Sequence, residues 1–226
     1  MYEDALSYEG RKKRGAFRAG REPPGEDLGR VISVSDGVFA FALTLLVLGL
    51  TVPVISGSGS SSQVSQSLWQ ALQGDWPKFL GYAFAFVMIS IWWMVHHRTF
   101  RYIERYDFVL MWANMVVLLE VAVMPFVLQV YTAYSSTQTA VVLFAFVQAV
   151  TGLTLNLLWR YASRGHRLID PKLPEAEIRY YANRGLLSPA AFAASIALSF
   201  VSVSLAQYFW FVPLVLARFA HRYGVD

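Results

Sequence analysis

Arg30, Ser35 and Asp36 crowd the head of RVISVSDGVFAFALTLLVLGL, residues 30–50, a stretch that turns almost wholly apolar after the aspartate. A carboxylate there could hold a cation, pass a proton or anchor a helix. Facing lipid it would cost about 2.5–3.5 kcal/mol, so Asp36 is expected to turn into protein and find donors. Ser33-Val-Ser-Asp36 has capping-box spacing, with Ser33 placed to bond the amides of a first turn. Anchoring is therefore the preferred reading of Asp36 over ion binding. Its expected partners are groups near Ser35 together with His96, His97 or Arg101, while Arg30 caps a carbonyl or pairs with an acid. His96 and His97 are adjacent, so on a helix they point about 100° apart and lack the i, i+4 spacing of a metal-binding pair. Proton sensing suits them better than metal. Glu120 lies in the middle of another apolar run. An acid at that depth is a candidate proton site, or else a neutral group bonded to Asn114, Gln148 or Asn156. No nucleophile–base pair or metal-spaced cluster is present, so neither an enzyme nor a cofactor is expected.

The elements that would position these groups are membrane spans. Of the 226 residues, 56% are hydrophobic and only 15% charged, far from the quarter charged that is usual in soluble domains. The absence of cysteine excludes disulfides and thiolate metal sites. The net charge of +4 comes from basic residues lying between apolar runs, which points to membrane topology rather than to nucleic acid. About 20 apolar residues cross a bilayer, and six runs qualify: 31–54, 77–97, 107–131, 139–161, 186–204 and 206–220. The last two divide near Ala206–Gln207. Seven of the 19 Lys and Arg lie in residues 1–30, three between spans two and three, six from Arg160 to Arg184, and two, Arg218 and Arg222, at the end of the last span, with Lys78 the single exception. Loops 55–75 and 132–138 have none. The positive-inside rule then places both termini in the cytoplasm of a multi-pass cell-membrane protein, which requires an even number of spans.

Residues 1–29 read as a disordered cytoplasmic tail without a cleavable leader, and 55–68 as a Gly/Ser/Gln linker. Trp69 and Trp76 suit the outer interface, and Trp92 and Trp93 the inner one. A short helix is expected after Pro174, acidic early and basic late. Pro125 is expected to kink span three. No internal repeat is evident.

On a helical wheel with Phe41 at zero, Leu45 falls at about +40° and Leu48 at about −20°, over roughly 10 Å of helix. Thr44 lies on the edge of this stripe, while Asp36 is nearly opposite. Facing a symmetry axis, rings of Phe41, Leu45 and Leu48 would form a hydrophobic constriction that gates by excluding water. Lipid contact or helix packing accounts for the same periodicity.

The segment Arg30, Val34-Ser35-Asp36, then GVFAFALTLLVL resembles the start of the lysosomal potassium channel family known as transmembrane protein 175, particularly its short prokaryotic members. That signature is Arg, three residues, then Phe-Ser-Asp; Val34 stands in place of Phe. WWMVHHRTFRYIERYD at 92–107 is similar to the family's Trp/His-rich segment. The resemblance implies an all-α, six-span chain that assembles as a homotetramer in the lipid bilayer. It implies a potassium-selective or potassium-preferring cation channel, with K+ as permeant ion and no TVGYG filter. The pore is then lined by first helices, with Phe41, Leu45 and Leu48 as gate and Thr44 as pore-adjacent hydroxyl. Phe41 stands where Ile is commoner. Arg30, Ser35, Asp36, His96, His97 and Arg101 become the structural signature network. The rival reading is a proton-coupled transporter using Glu120 and the Asp36/His96/His97 cluster.

Overall fold

A computed structural model describes residues 24–55 and 59–213. Its elements are α1 (Pro24–Leu45), a 3-10 turn (Leu46–Gly49), α2 (Ser61–Gly74), α3 (Trp76–Phe100), α4 (Phe108–Ala133), α5 (Gln138–Ser163), a second 3-10 turn (Arg164–His166), α6 (Glu175–Arg184), α7 (Leu187–Ser199) and α8 (Val203–Phe209). The architecture is all-helical. Among the described residues four helical stretches are long and apolar enough to cross a membrane: Leu28–Gly49, Trp76–Phe100, Phe108–Ala133 and Gln138–His166.

The helix starts follow local chemistry. Pro24 opens α1, where its missing N–H costs nothing. Asp107 caps α4 by accepting from the Leu110 amide at 2.9 Å. It also accepts from the Tyr161 hydroxyl at 2.6 Å and lies 3.0 Å from Arg167, tying the head of α4 to the foot of α5. Burial pushes the Asp107 carboxyl up, but Tyr161, the Leu110 amide and Arg167 outweigh it and hold it below the usual aspartate value. Thr137 caps α5, and α6 begins after Pro174 with Glu175 and Glu177 in its first turn and Arg184 in its last, as the dipole favours.

Packing runs as a chain of neighbours. α1 lies on α3 and α4, α4 on α5, α5 on α7, and α7 on α8. Val117, Val121, Met124 and Leu128 form the buried stripe of α4, and α5 answers with Phe144, Ala145 and Leu155. The α3–α4 pair is tight. A Cβ added to Gly81 would sit 2.0 Å from Cγ2 of Thr132. α4 continues through Pro125 to Ala133 as a single helix.

Several expected boundaries move. α1 begins seven residues before position 31, so Ser33 is inside the helix and its hydroxyl donates to the Gly29 carbonyl at 2.9 Å instead of capping. The first helix tightens at Leu46 and gives way to extended chain after Gly49, well before residue 54. The linker expected over 55–68 runs into α2, started by a capping box in which Gln63 accepts from the Ser60 amide at 2.9 Å.

The fifth and sixth runs also differ from expectation. α7 has 13 residues, about 20 Å, too short for the hydrocarbon core. The break falls at Phe200–Ser202 rather than Ala206–Gln207, because Ser202 turns extended and caps α8. Trp210 then donates to Ser195 Oγ at 2.9 Å, and Gln207 to the Ser135 carbonyl at 2.7 Å, so α8 doubles back along α7. The remainder of the sixth expected span, 214–220, lies outside the described residues, as does the tail expected over 1–23.

Candidate functional site

α1 carries two stripes of nearly heptad spacing. Leu28, Ser35, Phe39, Ala42 and Leu46 are buried against α3 and α4. Val34, Gly37, Phe41, Thr44 and Leu48 form the other, and no part of the described chain covers it. Val34 is 54% exposed, Phe41 63% and Leu48 72%. Leu45 is half-buried between the two faces. The 3-10 turn changes the expected wheel: three residues now complete a turn, so Leu48 eclipses Leu45. Thr44 donates its hydroxyl proton to the Phe41 carbonyl at 2.8 Å. Its oxygen therefore presents only lone pairs outward, the character a cation requires.

The buried stripe is held by a polar relay. Ser35 donates to the Val31 carbonyl at 2.9 Å, and Asn114 of α4 donates to Ser35 Oγ at 3.0 Å. The Asn114 Oδ1 then meets His96 Nε2 at 2.9 Å, which assigns the imidazole proton to Nε2. His96 is buried, packed on Phe100 at 4.3 Å and tilted against Phe39 at 5.4 Å.

Asp36 is half-buried and accepts from Trp93 Nε1 at 2.9 Å. The partner is thus an indole rather than His96, His97 or Arg101. The neighbouring histidine faces explain this: His96 turns inward to Asn114, while exposed His97 stacks on the Trp93 ring at 5.3 Å. Arg101 follows the end of α3, and Arg30 is exposed on α1.

Sequence reasoning missed Asn114 as the hub of the relay and Trp93 as the Asp36 donor. The signal for Asn114 was its place as a lone amide near the head of an apolar run. Trp92 was expected at the interface but is buried, its indole donating to Gln148. Glu120 stands apart from the relay. Its Oε1 accepts from Thr154 of α5 at 2.8 Å, and its Oε2 is buried without a hydrogen bond among the described residues. Asn114 and Gln148 are engaged elsewhere, and Asn156 donates to the Ala182 carbonyl at 2.7 Å. No group of three or more His, Cys, Asp or Glu among the described residues could hold a metal ion.

Spanning helices wrapped around buried amide, imidazole and indole bonds, with one apolar helix face left uncovered, define a multi-pass membrane protein. The model of the family described as endosomal/lysosomal potassium channel TMEM175 matches residues 30–125. A potassium channel of Streptomyces collinus is 34% identical over 181 residues, covering 78% of this chain and 84% of that one. A potassium channel of Chamaesiphon minutus is 31% identical over 193 residues, covering 84% and 93%. The chain belongs to the TMEM175 channel family. The crystal structure of a lysosomal potassium-selective channel TMEM175 homolog from Chamaesiphon minutus matches with a TM-score of 0.67 and 28% identity, over 88% of this chain and all of that one. The endosomal/lysosomal proton channel TMEM175 of Danio rerio is 38% identical over 79 residues, 34% of this chain and 15% of that one.

Proposed function

We propose that this chain forms a homotetrameric, potassium-preferring cation channel whose pore is lined by four copies of α1. Four long spans and the shorter α7–α8 pair, both termini in the cytoplasm and a place in the cell membrane complete the reading. The observation that carries it is the uncovered stripe Val34, Gly37, Phe41, Thr44 and Leu48, opposite a face locked by Ser35 and Phe39. Lipid would suit a uniformly apolar face. This one interleaves a glycine and an outward-facing hydroxyl oxygen with its large apolar residues, as expected where ions pass between water-excluding rings. The names of the two bacterial relatives support potassium as the permeant ion.

Phe41, Leu45 and Leu48 are the gate in this reading, and Thr44 offers the oxygen that replaces part of the hydration shell. Arg30, Ser35, Asp36, His96, His97 and Arg101 serve as structure, orienting α1 rather than touching the ion. Purified protein in potassium-loaded liposomes should give electrogenic potassium flux without obligatory proton exchange. Phe41→Ile should raise single-channel conductance, since it replaces four phenyl rings by smaller side chains. An unchanged current would remove Phe41 from the constriction.

The Danio rerio relative's name makes protons the second ion to measure. Flux that stops without a proton gradient, and falls in Glu120→Gln, would favour a coupled transporter.

A further inference from the structure

A cavity of about 330 Å³ runs along α3 on the side nearly opposite Trp93, walled by α5, α7 and the segment after α8. From Phe84 to Thr99 its α3 wall covers roughly 22 Å, about three quarters of the hydrocarbon core. Its length is apolar, with Phe84, Met88 and Phe192 among the lining residues. One end is different. Arg98 and Arg184 border it there beside the Ser188 hydroxyl, at the end of the bundle where the arginines collect.

Both guanidinium groups are held by rings rather than by acids. Arg98 lies over the Tyr181 ring at 5.7 Å, and Arg184 over the Tyr180 ring at 5.7 Å while donating to its hydroxyl at 2.5 Å. Neither has a carboxylate within 4.0 Å among the described residues, whereas Arg167 at the same end is neutralised by Asp107. Two oriented cations at the mouth of a long apolar slot match one chemistry: an anionic head on a hydrocarbon tail.

We propose that this slot binds an anionic phospholipid, its phosphate held between Arg98 and Arg184 and an acyl chain lying along Met88 and Phe84. The site needs only the helical bundle and does not depend on the channel reading. The chain's own residues 214–226 are a poorer occupant on charge. They carry Arg218, His221 and Arg222 against the single acid Asp226, and would add positive charge beside Arg98 and Arg184, where the nearest acid, Glu177, is held by the Tyr102 hydroxyl at 3.2 Å.

The test uses the full chain in neutral detergent. Phosphatidylglycerol should raise its melting temperature and appear as a bound mass in native mass spectrometry, while phosphatidylcholine does neither. In Arg98→Gln/Arg184→Gln the apparent affinity should fall roughly tenfold or more, about 1.4 kcal/mol for each factor of ten. Equal responses to the two lipids, or an unchanged response in the double variant, would overturn the site. Glycerol phosphate reproducing the whole effect would show a headgroup anion site without the slot, and would overturn it as well. Should the double variant not fold, a benzophenone side chain at Met88 in the otherwise unchanged protein decides. A phospholipid adduct is expected; a cross-link to residues 214–226 instead would sink the proposal.

Discussion

Asn114 is the residue on which the packing of α1 depends. It uses its amide nitrogen on Ser35 and its oxygen on His96, joining α1, α4 and α3 where all three side chains are buried. Replacing it by Leu keeps the volume but leaves the buried His96 N–H unpaired, at about 1–3 kcal/mol, and Ser35 with only its bond to the Val31 carbonyl. Asn114→Leu should therefore destabilise the fold by about 1–3 kcal/mol, lowering the melting temperature and the yield of assembled protein, with ion preference unchanged in whatever assembles. Thermal unfolding followed by fluorescence checks the first part and reversal potentials the second. A variant as stable as the parent would mean that the relay carries no load. The roles at this scale were only half legible in the chain. The polar residues near Asp36 could be named from their cost in lipid, but not paired. Which of His96 and His97 faces inward, and that Trp93 reaches Asp36, depend on the rotation of α3 about its axis. Its apolar residues lie all around it, so their periodicity does not set that rotation.

At the scale of elements, Gly81 decides how near α3 can come to α4. A methyl there collides with Thr132, whose own hydroxyl is tied to the Leu128 carbonyl at 2.8 Å and so resists turning away. Gly81→Ala should destabilise by about 1–3 kcal/mol, the usual cost of overpacking. Adding Thr132→Ala removes the clashing Cγ2 and should recover much of the loss. A double-mutant cycle in thermal melts measures this coupling, and additive effects would show that the helices do not meet there. The long helices α3, α4 and α5 were readable because runs of some 25 apolar residues leave little alternative in a membrane. α2 was missed although Ser60 and Gln63 have capping-box spacing, since Ser and Gln also compose flexible linkers. The break at Phe200–Ser202 was hidden for the opposite reason. Phe and Val continue the apolar run, and only the capping bond of Ser202 to the Leu205 amide, at 3.3 Å, marks the turn.

For the whole molecule, the basic residues gather at one end of the bundle, and the native chain has no cysteine to confuse a labelling experiment. Ser136 lies in the α4–α5 connection and Lys172 ahead of α6, both exposed. With the basic end inside, Ser136→Cys should react with an impermeant maleimide on intact cells, and Lys172→Cys only after lysis. The reverse pattern would invert the topology. Fold class and family were legible from two short segments at the ends of the first two spans. The helix count was less so, because hydropathy registers α7 and α8 as apolar without registering that α7 is short and α8 returns along it.

Gly37 supplies a last consequence. A side chain there would meet nothing within 4 Å, yet glycine inside a helix costs about 1 kcal/mol relative to alanine. The isolated subunit gains nothing from that omission. In the proposed tetramer its beneficiary would lie beyond the chain: a crowded sister helix, or the narrow water beside it.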